Sequence, residues 1–182
     1  MGEQLVKELE EAGILPEDAE LMAEVAVERQ AEFAETGQLA SLFGMKALGA
    51  TQEGVDACIG AGAALVKQGL YLKATEFFVG LMQFEPFHPH VHMWLGLCAQ
   101  KQKLYGRALQ FYRHANGLCN ERKDPLILFY LGEMALLLDE PEEGIEALEK
   151  GLALGKGKKE LAQHIVRAEK LLASAKERTN GK

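Results

Sequence analysis

His88, His90, His92 and Cys98 are the residues best suited to chemistry, because imidazoles and a thiolate together bind zinc. Pro89 marks a helix start, however, and His90 and His92 then point to different sides of one helical turn. The spacing therefore reads as histidines facing solvent or a groove, with a metal site as the lesser reading. Cys58, Cys98 and Cys119 are odd in number and show no CxxC spacing, a pattern of free thiols in a reducing compartment. Gly155-Lys156-Gly157-Lys158 lacks the spacing of a phosphate-cradling loop, and no nucleophile stands with a base in a recognisable arrangement. Glu142-Glu143 reads as a solvated helix start, favoured at the positive end of the dipole. The expectation is a chain with no catalytic residues, no metal and no cofactor.

Composition narrows the remaining classes. The 182 residues carry a net charge of −7, which argues against nucleic acid, because displacing counterions needs a basic stripe. Lys156, Lys158 and Lys159 are too short a cluster to change that. The most apolar stretch, Leu126 to Leu138, is too short for a bilayer and contains Glu133, so no membrane insertion is expected. Met1-Gly2-Glu3-Gln4-Leu5-Val6 resembles neither a signal peptide nor a myristoylation site. A cytoplasmic location is expected by elimination.

The elements that position any site are legible as an internal repeat. Gly62, Gly96 and Gly132 lie 34 and 36 residues apart. Nine residues after each come Tyr71, Tyr105 and Pro141, then Ala74, Ala108 and Gly144, then Phe78, Tyr112 and Leu148. Leu81, Ala115 and Gly151 close the series. This order of small and bulky residues resembles the tetratricopeptide repeat, two antiparallel helices whose small residues let backbones approach at the crossing. The two-residue excess falls in Asn120-Glu121-Arg122-Lys123-Asp124-Pro125. The expected fold is all-α, an α-α superhelix of three tetratricopeptide repeats with N-terminal helices and a C-terminal capping helix. Its expected divisions are residues 1–50 for dimerisation or packing, 51–154 for the repeats and 155–182 for the cap and tail. Leu161, Ile165, Ala168 and Leu172 supply the apolar stripe that a cap needs.

In such repeats the first helix of each pair has one face in the stack and one facing a concave groove. The packing face reads as Cys58, Ala61, Gly62 and Leu65, repeated by Leu95, Gly96 and Ala99 and by Leu128, Leu131, Gly132 and Ala135. The groove face is also apolar: Ile59, Ala63 and Val66, then Met93 and Leu97, then Phe129 and Leu136. Lys67, His90, Gln100 and Glu133 interrupt it, as do Asp56 and Lys101, and would hydrogen-bond a bound backbone. Such a surface fits an extended partner segment, unless terminal helices or a second copy cover it.

Gly69-Leu70-Tyr71-Leu72-Lys73-Ala74, Phe84-Glu85-Pro86 and Met93-Trp94-Leu95-Gly96-Leu97 resemble the class II chaperones of type III secretion, over roughly residues 36 to 154. Leu39, Leu48, Gly49 and Thr51 match the approach to the first repeat. The resemblance implies a cytoplasmic chaperone that keeps secreted translocator proteins soluble and secretion-competent by holding an extended segment in the groove. It implies a homodimer through N-terminal helices, where Leu21, Met22, Val25 and Phe33 form an apolar face. The family tends to carry tyrosines where Ile59, Ala63 and Val66 stand, so the first pockets are expected to be larger and to lack hydroxyls. The alternative is a general tetratricopeptide adaptor or scaffold for another peptide, though not a carboxylate clamp, which would need Lys, Arg and Asn in the groove.

Overall fold

The computed structural model describes residue 7 and residues 51–119 and 123–180. Apart from residue 7, the expected helices at 4–11 and 17–35, and with them Leu21, Met22, Val25 and Phe33, lie outside the described residues. Seven α-helices and one short 3-10 turn make up the described elements: α1 (Gln52–Lys67), α2 (Tyr71–Phe84), α3 (Pro89–Lys101), α4 (Tyr105–Leu118), α5 (Pro125–Leu137), α6 (Pro141–Gly155), the turn Lys159–Leu161 and α7 (Ala162–Asn180). No strand occurs among the described residues, and the fold is all-helical. The chain divides into two units, Met1–Val91 and His92–Lys182, with the boundary inside α3.

Local chemistry sets the helix ends. Thr51 caps α1, its hydroxyl accepting from the Gly54 amide at 3.2 Å. Asp124 caps α5 by accepting from the Leu126 amide at 2.7 Å, and Pro125 follows at the first helical position, where its missing N–H costs nothing. Within each pair the chain reverses through a residue of positive φ: Gly69 (77°), Lys103 (63°) and Asp139 (62°). These positions keep the 34- and 36-residue intervals of the repeat, so the turn recurs even where glycine does not.

In the Met1–Val91 unit, α1 packs on α2 through Gly62. A Cβ there would overlap the ring of Phe78, which has no exposed surface, and would stand 2.8 Å from Phe77 Cδ1. In the His92–Lys182 unit the same sixteen-residue relation recurs. A Cβ at Gly96 would meet Tyr112 Cε1 at 2.6 Å, and one at Gly132 would meet Leu148 Cγ at 2.7 Å. The third pair thus keeps the crossing although Pro141 and Leu148 replace the aromatics.

Two apolar clusters fill the second unit. Met93, Leu109, Tyr112, Ile127, Leu131 and Met134 belong to one, and Phe129, Leu148, Leu161 and Ala168 to the other. The stripe on α7 joins the second cluster, with Ile165 and Leu172 at its margin. One assigned packing residue is corrected: Ala61 is exposed, while Ala63 and Val66 are buried at 8% and 7% exposure. On α1 the buried stripe is Val55, Gly62, Ala63 and Val66, rotated from the face read off the sequence.

Candidate peptide-binding faces

In the first unit, α1 places Ile59, Ala63, Val66 and Lys67 within two turns. Ile59 is half-buried, Ala63 and Val66 are covered, and Lys67 is exposed in the last turn, where a cation suits the negative end of the dipole. Asp56 accepts from Gln52 Nε2 at 3.0 Å. His90 is half-buried, its ring centroid 5.6 Å from that of His88.

In the second unit the expected groove residues separate into two kinds. Met93 and Phe129 keep only 3% and 4% of their surface exposed. Met93 joins the cluster of α4 and α5, whereas Phe129 lies beneath Leu161 and Ala168, close to Gly151. The cause is that α5 is apolar all round, and this chain's own α7 covers one of its faces. Leu97 is also covered, at 9% exposure. Gln100, Glu133 and Leu136 are half-buried.

Gln100 and Glu133 are tied into a polar chain joining four helices. The Tyr112 hydroxyl donates to Gln100 Oε1 at 2.7 Å, and Gln100 Nε2 reaches Glu133 Oε1 at 3.4 Å. Arg167, on α7, donates to that same carboxylate oxygen. Tyr130 stacks on Tyr112 with centroids 5.4 Å apart, and His164 meets Tyr130 edge-on at 5.5 Å.

Burial pushes the Glu133 carboxyl above the usual carboxylate range although Arg167 and Lys101 oppose it. Burial likewise raises the Tyr112 and Tyr130 hydroxyls, and burial followed by Arg167 lowers the His164 imidazole. A carboxylate so placed is a strong acceptor already in use, so a ligand backbone would have to share it with Arg167 or displace it.

Beside this chain, the end of α5, the start of α6 and α7 enclose a cleft of about 580 Å³ lined by Glu133, Leu136, Leu137, Arg167, Leu171 and Arg178 among others. Sequence reasoning reached Glu133 and Leu136 but missed Arg167 and Arg178. The available signal was the stripe Arg167, Leu171, Ser174 and Arg178, three or four residues apart on one face of the cap.

His92 is buried and lies 4.4 Å from His114 by ring centroids, which corrects its reading as solvated or groove-facing. Among the described residues no group of three or more His, Cys, Asp or Glu side chains converges as ligands. No described helix is long and apolar enough to cross a membrane.

These helix pairs make a fold of tetratricopeptide type. No family model and no curated protein sequence matches the chain. Solved structures do. The type III secretion translocator chaperone SycD of Yersinia enterocolitica is similar at a TM-score of 0.63 and 20% identity, over 72% of this chain and 89% of that one. A type III secretion complex from Aeromonas hydrophila gives 0.66 and 19%, over 85% and 99%. PcrH of Pseudomonas aeruginosa, bound to the chaperone binding region of PopD, gives 0.61 and 21%, over 72% and 97%. At these identities the likeness is one of fold.

Proposed function

We propose that the chain is a cytoplasmic chaperone of a type III secretion system, a homodimer that holds an extended segment of a translocator protein and keeps it soluble and ready for secretion. One observation carries the reading: the fold is shared with chaperones solved holding translocator pieces, SycD with a peptide of YopD and PcrH with regions of PopD and PopB. The quoted Trp94-Leu95-Gly96-Leu97 segment lies at the Gly96–Tyr112 crossing, so the resembling residues are also those that build the second pair.

The chain acts in this account by binding, not by catalysis. Ile59 and Lys67 in the first unit, and Gln100, Glu133 and Leu136 in the second, keep enough surface to touch a client. Ala63, Val66 and Leu97 shape the helices beneath them. Dimerisation or packing falls to residues 1–50, and 155–182 close the repeats.

The test is co-purification of the tagged chain from its native host, wild type against Ile59→Asp with Lys67→Glu. The reading expects a membrane-active secreted protein to accompany the wild type and to be lost from a variant with an unchanged circular dichroism spectrum. Retention of the same partners by the folded variant removes the α1 face from the account.

A further inference from the structure

The cleft of the His92–Lys182 unit has an aliphatic floor. Leu136 and Leu171 are half-buried, Ala175 is buried, and Leu137 beside them keeps 54% of its surface exposed. Exposed leucine at the mouth of a concavity is surface that a ligand's aliphatic side chain would cover. Two cations stand on the α7 wall, and they differ. Arg167 is engaged by Glu133, whereas among the described residues Arg178 and Ser174 make no side-chain hydrogen bond or ion pair. On the facing rim Asp139 is held at the left-handed turn between α5 and α6.

We propose that this cleft binds an extended peptide segment carrying an aliphatic side chain beside a single carboxylate. The aliphatic group fills the floor between Leu136 and Leu171. The carboxylate takes the planar fork of Arg178, which presents two parallel donors to two oxygens. The Ser174 hydroxyl donates to a backbone carbonyl of the segment. Asp139 gives the opposite rim negative charge, so a run of acids is repelled where one acid is held. The proposal rests on the reading of the chain as a peptide holder and specifies what one part of it selects.

Fluorescence anisotropy on the full chain decides it, using three labelled decapeptides that differ at one position and contain Leu-Asp, Leu-Asn or Leu-Lys. The aspartate peptide should bind about threefold more tightly than the asparagine peptide, as an exposed charge pair implies. That gap should close in Arg178→Gln, an exposed position near the helix end, while circular dichroism stays unchanged. Absence of binding, equal binding of the first two peptides, tighter binding of the lysine peptide or a gap that survives Arg178→Gln overturns the proposal. Selectivity without client co-purification counts against the chaperone reading alone, and client capture without selectivity counts against the cleft alone.

Discussion

Gly62→Ala adds a methyl group where α2 already stands. The new carbon would overlap the Phe78 ring and stand 2.8 Å from Phe77 Cδ1. Phe78 has no exposed surface, and its ring meets Phe77 edge-on at 5.7 Å, so neither ring can yield without disturbing the other. Overpacking of this kind costs about 1–3 kcal/mol. Alanine returns about 1 kcal/mol of helix propensity, leaving a net loss of up to about 2 kcal/mol. Gly60→Ala, two residues earlier on the same helix, is the internal control: nothing lies within 4 Å of its added carbon. That variant should gain about 0.5–1 kcal/mol. Urea unfolding followed by circular dichroism should therefore move the two midpoints in opposite directions. A Gly62→Ala chain as stable as Gly60→Ala would refute the close crossing, and with it the repeat register built on Gly62, Gly96 and Gly132.

Further outcomes follow from the second unit. Lys103 pays for a positive φ that glycine adopts freely, so Lys103→Gly should raise stability by about 0.5–1 kcal/mol in the same assay; a loss would contradict the turn. His164 is held below its ordinary value near 6.5, so its contribution is full above that pH and falls away as acid charges the ring; His164→Gln should shrink the drop in urea midpoint between pH 7.5 and 5.5. Glu133 is displaced upward, so the folded chain binds that proton more tightly and gains stability as pH falls through the raised value; Glu133→Gln should steepen the acid loss, and an unchanged pH profile would contradict the burial argument. Arg113 donates to Glu143 Oε2 at 2.6 Å and also to Glu140, joining α4 to the start of α6, but Arg113 is exposed and both carboxylates are partly so, so Arg113→Ala should cost only about 0.5 kcal/mol and nothing measurable in high salt.

The repeat was legible because its signal is covalent spacing. A glycine and a bulky residue sixteen positions on must meet wherever two helices pair tightly, and Gly96 with Tyr112 does so. The stripe Leu161, Ile165, Ala168 and Leu172 was legible for the same reason, a single apolar face on a polar helix. The candidate site was less so. On α5, Leu128 and Phe129 are equally apolar, and periodicity cannot say which side the chain itself covers; α7 decides it by burying Phe129. On α1, alanines at 61 and 63 carry no polarity to set the rotation, and only packing decides that Ala63 is buried and Ala61 exposed. The Gln100–Glu133–Arg167 chain left no local trace, because its members lie on three helices and only packing brings them together.

The central claim concerns a client, and the direct measurement is removal of the chain from its native host, with translocators followed in the cytoplasm and the secreted fraction. The account predicts that a translocator falls in both fractions while other substrates of the same secretion system are exported normally, and that restoring the chain restores it. Translocators present and secreted at wild-type levels without the chain would contradict the account.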